Sequence, residues 1–265
     1  MQVDIKKEID FWNKEGSKRR ASISKLEKEA YLKNLLHKRY WWHKYIPNFK
    51  GKKILDVGCG TECDFIPFWI LNNNSVVAVD LSPETIKTNQ LLLNKLGLQA
   101  KLICADIENL VLKEKFDVIH IRGVLHHLSS IPLVLKKLRK MLKPHGILII
   151  TESNYLYPIR WLIQTHRLEK INIFRKLALK YGLDPNEKAR LPWYYTNELK
   201  NVGFKIKKTD YKQDYMCLAW FAKAVTKNKH INNLAHALDR GLLVLEFPKY
   251  FGYIVNIIAI AHDEK

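Results

Sequence analysis

Between Lys53 and Thr151 the chain alternates short apolar runs of strand length with segments of helical pattern, and this alternation limits the fold more than any other feature. Lys53-Ile54-Leu55-Asp56-Val57 is a buried-strand run stopped by Gly58, and Ser75 to Asp80 is a second, stopped by an acid. Phe65 to Asn72 between them has helical length and pattern. Ser82 then opens an N-cap signature with Pro83 in the first helical position, and Gly97 ends that helix after Leu96. Leu102-Ile103-Cys104 and Phe116 to Ile121 read as third and fourth strands, and a helix over Ile131 to Leu142 carries its cations in the last turns, where the helix dipole favours them. Pro144-His145-Gly146 turns the chain into a fifth strand, Ile147 to Thr151. Strands and helices in strict alternation predict an α/β fold with a parallel sheet covered on both faces. Ligands on such sheets bind beyond the carboxyl ends of the strands.

Those carboxyl ends carry chemistry. The first strand runs into Asp56-Val57-Gly58-Cys59-Gly60-Thr61, a glycine turn that lets backbone approach a ligand closely. The second ends in Asp80, at the distance from the glycine turn where a carboxylate accepts both hydroxyls of a ribose. The third ends in Ala105-Asp106-Ile107, an acid suited to the amino group of a nucleobase, and the fourth in Arg122-Gly123-Val124-Leu125-His126-His127-Leu128. A dinucleotide fold is the rival reading, but Gly58-Cys59-Gly60-Thr61-Glu62-Cys63 lacks the third glycine of GxGxxG, which a pyrophosphate needs at the helix start.

In order and spacing, these segments resemble the class I S-adenosylmethionine-dependent methyltransferases, in particular the large group with a generic small-molecule-type methyltransferase domain. ILDVGCGT is similar to the family's glycine motif, VVAVDLSPETI to its second, CADIENL to its adenine-contacting motif, FDVIHIRGVLHHL to the fourth-strand motif and LKPHGILIITE to the fifth. The resemblance covers residues 51–152. It implies a Rossmann-like, doubly wound sheet of seven strands whose last is antiparallel, with 203–211 and 250–262 as the sixth and seventh. It also implies S-adenosyl-L-methionine as cofactor. Asp56 and the Gly58, Cys59 and Gly60 turn would hold the methionine portion, Asp80 the ribose, Leu81 the adenine face, Asp106 and the Ile107 backbone the adenine edge, and Arg122 the methionine end. The family usually has glycine where Glu62 stands. An acid at the start of a helix is stabilised by the dipole by about 0.3–1 kcal/mol, and a place near the cofactor's amino or sulfonium group is the alternative.

A sulfonium methyl is already electrophilic, so the protein's main contribution is to position the acceptor and exclude water. A hydroxyl acceptor benefits from a base, and His126 and His127 at the mouth of the crevice are the candidates, with Glu152 and Tyr155 next. In the family the histidine here is often structural. Residues 153–195 fall where such proteins insert a substrate-covering segment, and Tyr155, Trp193 and Tyr194 are its candidate acceptor contacts. Tyr31, Tyr40, Trp41, Trp42 and Tyr45 belong to an N-terminal helical segment that in the family commonly folds over the cofactor. Large rings with polar tips suit a partly apolar acceptor, and equally suit packing of the cap onto the sheet. The expected division is an N-terminal cap over 1–50, a core over 51–152, a substrate cap over 153–195, and the rest of the sheet with an added helix over 196–265.

Charge separates the same regions. The chain's net +19 divides into +9 over 1–53, −3 over 54–135 and +13 over 136–265, so the cofactor region is slightly acidic and the flanks are basic. The expected activity is methyl transfer to a small-molecule or lipid-linked acceptor at oxygen, with an anionic membrane surface as a possible partner through Lys205, Lys207, Lys208, Lys212, Lys223, Lys227 and Lys229 and the apolar stretch 215–225. RNA methylation is one alternative, raised by basic flanks with interleaved aromatics. A non-catalytic cofactor-binding or membrane-peripheral interaction protein is the other. No apolar run reaches the length of a membrane span, and residues 1–20 lack the apolar core of a secretory signal, which points to a cytoplasmic protein. Cys59, Cys63, Cys104 and Cys217 form no CxxC pair or zinc pattern and are expected to be reduced, mostly buried thiols.

Overall fold

A computed structural model of the 265-residue chain describes residues 5–38, 40–46, 48–61, 64–157, 189–212, 226, 228–242 and 254–262. The strands are β1 (Lys53–Val57), β2 (Ser75–Asp80), β3 (Lys101–Cys104), β4 (Phe116–Arg122), β5 (Leu142–Ser153), β6 (Phe204–Lys212) and β7 (Ile254–Ala261). The helices are α1 (Ile5–Ser24), α2 (Lys28–His37), α3 (Phe65–Leu71), α4 (Pro83–Leu96), α5 (Ile131–Met141), α6 (Pro192–Asn201) and α7 (Lys229–Leu242). The strands form one seven-stranded sheet in the order β3-β2-β1-β4-β5-β7-β6, and its last strand is antiparallel. β1 pairs parallel with both β2 and β4, and β2 with β3, so four neighbouring strand ends meet at one edge of the layer.

Local chemistry accounts for the elements. The Ser82 side chain accepts the Thr85 N–H at 3.0 Å, Pro83 follows, and Gly97 closes α4 with φ 72°. This is the capped helix expected from the sequence. β5 differs from expectation: it begins at Leu142 rather than Ile147, and the Pro144-His145-Gly146 turn is absorbed into it with His145 in the left-handed region at φ 57°. The edge strand β3 is only partly covered, which leaves Cys104 exposed rather than buried as the sequence suggested.

Two compact units divide the chain. The first holds residues 1–150, 198–208 and 258–265. Its core joins Ile54, Val76, Ala78, Val118, Ile149 and Ile258 of the sheet to Phe68 and Trp69 of α3 and to Leu35, Trp42 and Ile46 of the N-terminal segment. Trp42 stacks on Trp69 at 4.6 Å, and Tyr40 packs against Phe65 and Phe68, each at 4.7 Å. The aromatic residues of 31–45 are therefore mortar between the N-terminal segment and α3. Helix α1 lies along α4, where Gly16 permits backbone contact: a Cβ there would stand 3.0 Å from the Glu84 carbonyl carbon, and the Thr88 hydroxyl donates to the Gly16 carbonyl at 3.0 Å. The Arg20 guanidinium and Glu84 carboxylate close the same seam at 2.5 Å.

The second unit holds 151–197 and 209–257. Buried Asn154 shapes its entry turn, accepting the Leu156 N–H at 3.0 Å on its side chain while the Arg190 carbonyl accepts from Tyr155 at 3.2 Å. The Thr151 hydroxyl meets the Asn256 side chain at 2.9 Å. Among the described residues no helix is long and apolar enough to cross a membrane.

Candidate active site

The glycine turn after β1 makes a cleft possible. Gly58 and Gly60 both lie in the left-handed region, at φ 63° and 64°. A Cβ on Gly58 would stand 2.1 Å from Val124 Cγ2, so backbone alone fits between the two strand ends. The turn is fastened on three sides. Val79 O accepts from the Gly58 and Cys59 N–H groups at 2.8 and 3.1 Å, the Asp80 carboxylate accepts from Gly60 N at 2.9 Å, and Asn89 of α4 donates to Gly60 O at 2.9 Å.

Beyond it opens a cavity of about 160 Å³, lined by Gly58, Gly60, Asp80, Leu81, Ala105, Asp106, Ile107, Arg122, Gly123, Val124 and His127, with Glu108, Leu128 and Ser129 at its rim and Ile5, Glu8 and Trp12 of α1 as its outer wall. The ends of β1 to β4 thus converge as the parallel pattern requires. Asp80 is pinned by the Ser82 and Gly60 backbone N–H groups, each at 2.9 Å. Burial raises its pKa, and those hydrogen bonds only partly offset the effect. Asp106 is shaped by its own turn, accepting from Glu108 N at 2.8 Å and Asn109 Nδ2 at 2.9 Å. Glu108 in turn accepts from the Ser129 and Ser130 N–H groups at 2.5 and 3.2 Å, tying the β3 loop to the start of α5. Arg122 is exposed, with its guanidinium 5.5 Å from the Phe65 ring centre.

Three predicted site residues are not among those lining the cavity. Cys59 is buried in the core with its sulfur 3.6 Å from Asn89 Nδ2, so its side chain faces packing and only its backbone belongs to the turn. Asp56 is buried within β1, where its register partner on β4, His120, donates from Nδ1 to Oδ1 at 2.7 Å. Its Oδ2 is buried with no hydrogen-bond partner among the described residues. His126 is buried behind His127, ring centres 4.0 Å apart, leaving His127 as the histidine on the cavity wall. Tyr155, Trp193 and Tyr194 belong to the second unit, where Arg190 lies 5.7 Å over the Tyr194 ring and Trp193 is exposed. Glu62, Cys63 and Cys217 lie outside the described residues.

The sequence reading missed Glu8, Trp12 and Asn89. The aromatic pair Phe11-Trp12, set in a charged helix four residues before Gly16, was the available signal for α1. Buried Glu8 stands with Oε2 3.3 Å from His127 Nδ1, and Trp12 packs edge-on to the His127 ring at 6.5 Å. Burial would raise the Glu8 pKa, but hydrogen bonds from His127 and Trp12 and the neighbouring imidazoles more than offset it and hold the carboxyl below its usual value.

The residues suit S-adenosylmethionine. The cradle at Gly58 would be filled by any Cβ, two acids stand at the ends of β2 and β3, and Asp56 Oδ2 is an acceptor of the kind an amino group, or a water bound to one, satisfies.

Comparison with known proteins agrees. Residues 48–172 match a family model described as a methyltransferase domain. Ubiquinone biosynthesis O-methyltransferase from Nitrobacter winogradskyi is 30% identical over 133 residues, covering 45% of this chain and 51% of that protein. The enzyme of the same name from Pelagibacter ubique is 34% identical over 134 residues, 46% and 55% of the two chains. That from Bartonella bacilliformis is 27% identical over 208 residues, 73% and 78%. The chain spans about half the length of the first two of these relatives. In fold it is similar to magnesium protoporphyrin IX methyltransferase from Synechocystis with bound SAH, at TM-score 0.59, 15% identity, and 97% and 99% of the two chains. An S-adenosylmethionine-dependent methyltransferase from Mesorhizobium loti superposes at TM-score 0.54 with 18% identity, over 82% and 94%. The cavity at the ends of β1 to β4 therefore lies within the stretch that matches a methyltransferase domain, on a fold shared with S-adenosylmethionine-dependent methyltransferases.

Proposed function

We propose that the chain is an S-adenosylmethionine-dependent methyltransferase that methylates an oxygen of a small-molecule or lipid-linked acceptor. The observation that carries this reading is the single cavity in which the Gly58–Gly60 turn, Asp80, Leu81, Asp106 and Ile107 face His127. On this reading Asp80 accepts from the ribose hydroxyls and Leu81 covers the adenine. Asp106 and the Ile107 backbone take the adenine edge, and the glycine turn with Asp56 and Arg122 takes the methionine portion. When bound, the cofactor supplies an electrophilic methyl group on a sulfonium. The chain's own contribution is to hold the acceptor oxygen in line, keep water out beneath α1, and receive a proton at His127.

Residues 1–50 serve as the cap over the cofactor, and 153–195, with Tyr155, Trp193 and Tyr194, as the acceptor cover. Oxygen as the acceptor atom is supported by relatives named O-methyltransferases. The lipid-linked alternative draws on α7, which exposes Ile231, Leu234 and Leu238 in helical register beside Lys229. The basic strand β6 adds less support: Lys207 donates to the Tyr45 carbonyl at 2.7 Å and Lys208 lies 5.6 Å over the Tyr45 ring, so both have structural work. Lys223 and Lys227 lie outside the described residues.

Titration calorimetry with S-adenosylmethionine tests the cofactor part. Losing charge-assisted hydrogen bonds worth about 1.5–3 kcal/mol, Asp80→Asn binds roughly 10–150-fold more weakly. Equal binding by both proteins overturns the assignment. Because the Asp80 pKa is raised, wild-type affinity on acidification falls from a higher pH than an ordinary aspartate near 3.9 would give. Incubating cell extract with cofactor labelled in its methyl group, then partitioning products between water and organic solvent, separates polar from lipid-linked acceptors.

A further inference from the structure

We propose that Glu8 of α1 is a positioning residue for His127, fixing the imidazole with its proton on Nδ1 so that Nε2 is the basic nitrogen offered to the acceptor hydroxyl. The inference rests on the methyltransferase reading above and goes beyond it, because the residue lies outside the strand-end motifs and on a different element.

The geometry has three parts. His127 sits in a short 3-10 turn (Leu125–His127) held by backbone hydrogen bonds, including His127 N to Val124 O at 3.0 Å, so its main chain is fixed by the β4 end. Its ring forms part of the cavity wall, and Glu8 of α1, which lines the same cavity, stands with Oε2 3.3 Å from Nδ1. A carboxylate oxygen only accepts, so this contact selects the Nδ1–H tautomer of a neutral ring. Glu8 is itself immobilised. It is buried, Trp12 one helical turn on donates to it, and α1 is locked to α4 by the Gly16 contact and by the Ser82 hydroxyl 2.8 Å from Asn13 Oδ1. Its carboxyl lies below the usual range because the His127 and Trp12 hydrogen bonds outweigh burial, and it is therefore an anion at neutral pH.

Other charged groups near the ring do not compete for that role. His126 packs tilted against it, ring centres 4.0 Å apart, and Asp106, Glu108 and Arg122 line the same cavity, but Glu8 is the carboxylate in contact with the ring among the described residues. The proton balance is complete. As the acceptor oxygen forms its bond to the transferred methyl carbon, the carbon–sulfur bond breaks with its electron pair left on sulfur, and the hydroxyl proton moves to His127 Nε2. The resulting imidazolium is stabilised by Glu8, then loses a proton to solvent. A helix that covers the cofactor thus also prepares the base, and the base is oriented only when the cover is seated.

The test is long-range 1H–15N NMR of the imidazole nitrogens in the full chain, with His127 assigned by its disappearance in His127→Asn. The expected result is the Nδ1–H tautomer in the wild type. Glu8→Gln should give a mixed tautomer, because the carboxylate that accepts from Nδ1 is gone, and Glu8→Asp should restore part of the Nδ1–H preference. An Nε2–H tautomer in the wild type, or a tautomer unchanged in Glu8→Gln, overturns the proposal. The wild-type measurement decides even where a variant folds poorly. The cofactor reading fails separately, by absence of S-adenosylmethionine binding to the wild type, so the two failures are distinct.

Discussion

Substituting Gly58 with alanine isolates the two demands the glycine turn after β1 makes on its backbone. The first is conformational. At φ 63° an L-residue is left-handed, which costs about 1–2 kcal/mol. The second is steric, because the added Cβ would stand 2.1 Å from Val124 Cγ2, and both atoms belong to strand ends held in register by the β1–β4 pairing. Overpacking in such a site costs about 1–3 kcal/mol. Gly58→Ala should therefore destabilise the first unit by roughly 2–5 kcal/mol, the sum of the two ranges. Gly60→Ala is the control: its φ is 64°, but the nearest atom to an added Cβ is the Gly58 oxygen at 3.9 Å, so only the conformational cost of about 1–2 kcal/mol applies. Truncating Val124 in the double variant Gly58→Ala/Val124→Ala removes Cγ2 and should recover the steric share alone. Urea midpoints for the four proteins, read by tryptophan fluorescence, give the differences, and calorimetry shows whether S-adenosylmethionine binding falls in parallel. Equal destabilisation at positions 58 and 60, or no recovery on truncating Val124, would refute the claim that close approach of β4 is what requires glycine at 58.

Two further outcomes follow from the seams around the site. Gly16→Val places a branched side chain where even a Cβ would be 3.0 Å from the Glu84 carbonyl carbon, so α1 should lift from α4 at a cost of about 1–3 kcal/mol. Trp12 fluorescence should shift red as it leaves the cavity wall, and an unshifted spectrum with unchanged stability would show that the two helices are not tightly seated. At the opposite end of the sheet, hydrogen bonds from Lys101 and then Lys53 pull the Glu114 pKa from 4.5 down to about 2. A depressed carboxylate stabilises the fold above its unfolded pKa and loses that contribution as pH falls through the folded one. Wild type should thus exceed Glu114→Gln in urea midpoint at pH 7, with the gap closing between pH 4.5 and about 2. A gap that persists at pH 2, or none at pH 7, contradicts the ion-pair account.

The core and the strand-end half of the site were legible because they rest on short-range patterns. Continuous apolar runs ending in glycine or acid specify parallel strands whose ends converge, and Ser82-Pro83 with Gly97 specifies the limits of α4. Asp80, Asp106, Leu81 and Ile107 reach the cavity because the chain places them at the end of a strand or within three residues past it, where direction is set by the strand itself. Three residues absent from the cavity lining share a reason. Asp56, Cys59 and His126 lie within two residues of groups that do line the cavity, and which side a side chain takes there depends on register and turn geometry between partners distant in sequence.

By itself, then, the sequence determined the alternating architecture, the cofactor class and the acids at the strand ends that line the cavity. Local periodicity and turn chemistry suffice for these. Only the tertiary structure decided that Glu8 and Trp12 complete the cavity, while Tyr40, Trp42 and their neighbours pack against α3. It also separated His127 from its neighbour His126. The physical reason is that α1 finds the site through a glycine-width contact with α4, some seventy residues away in the chain, and no local pattern records which face of a charged helix such a contact will bury.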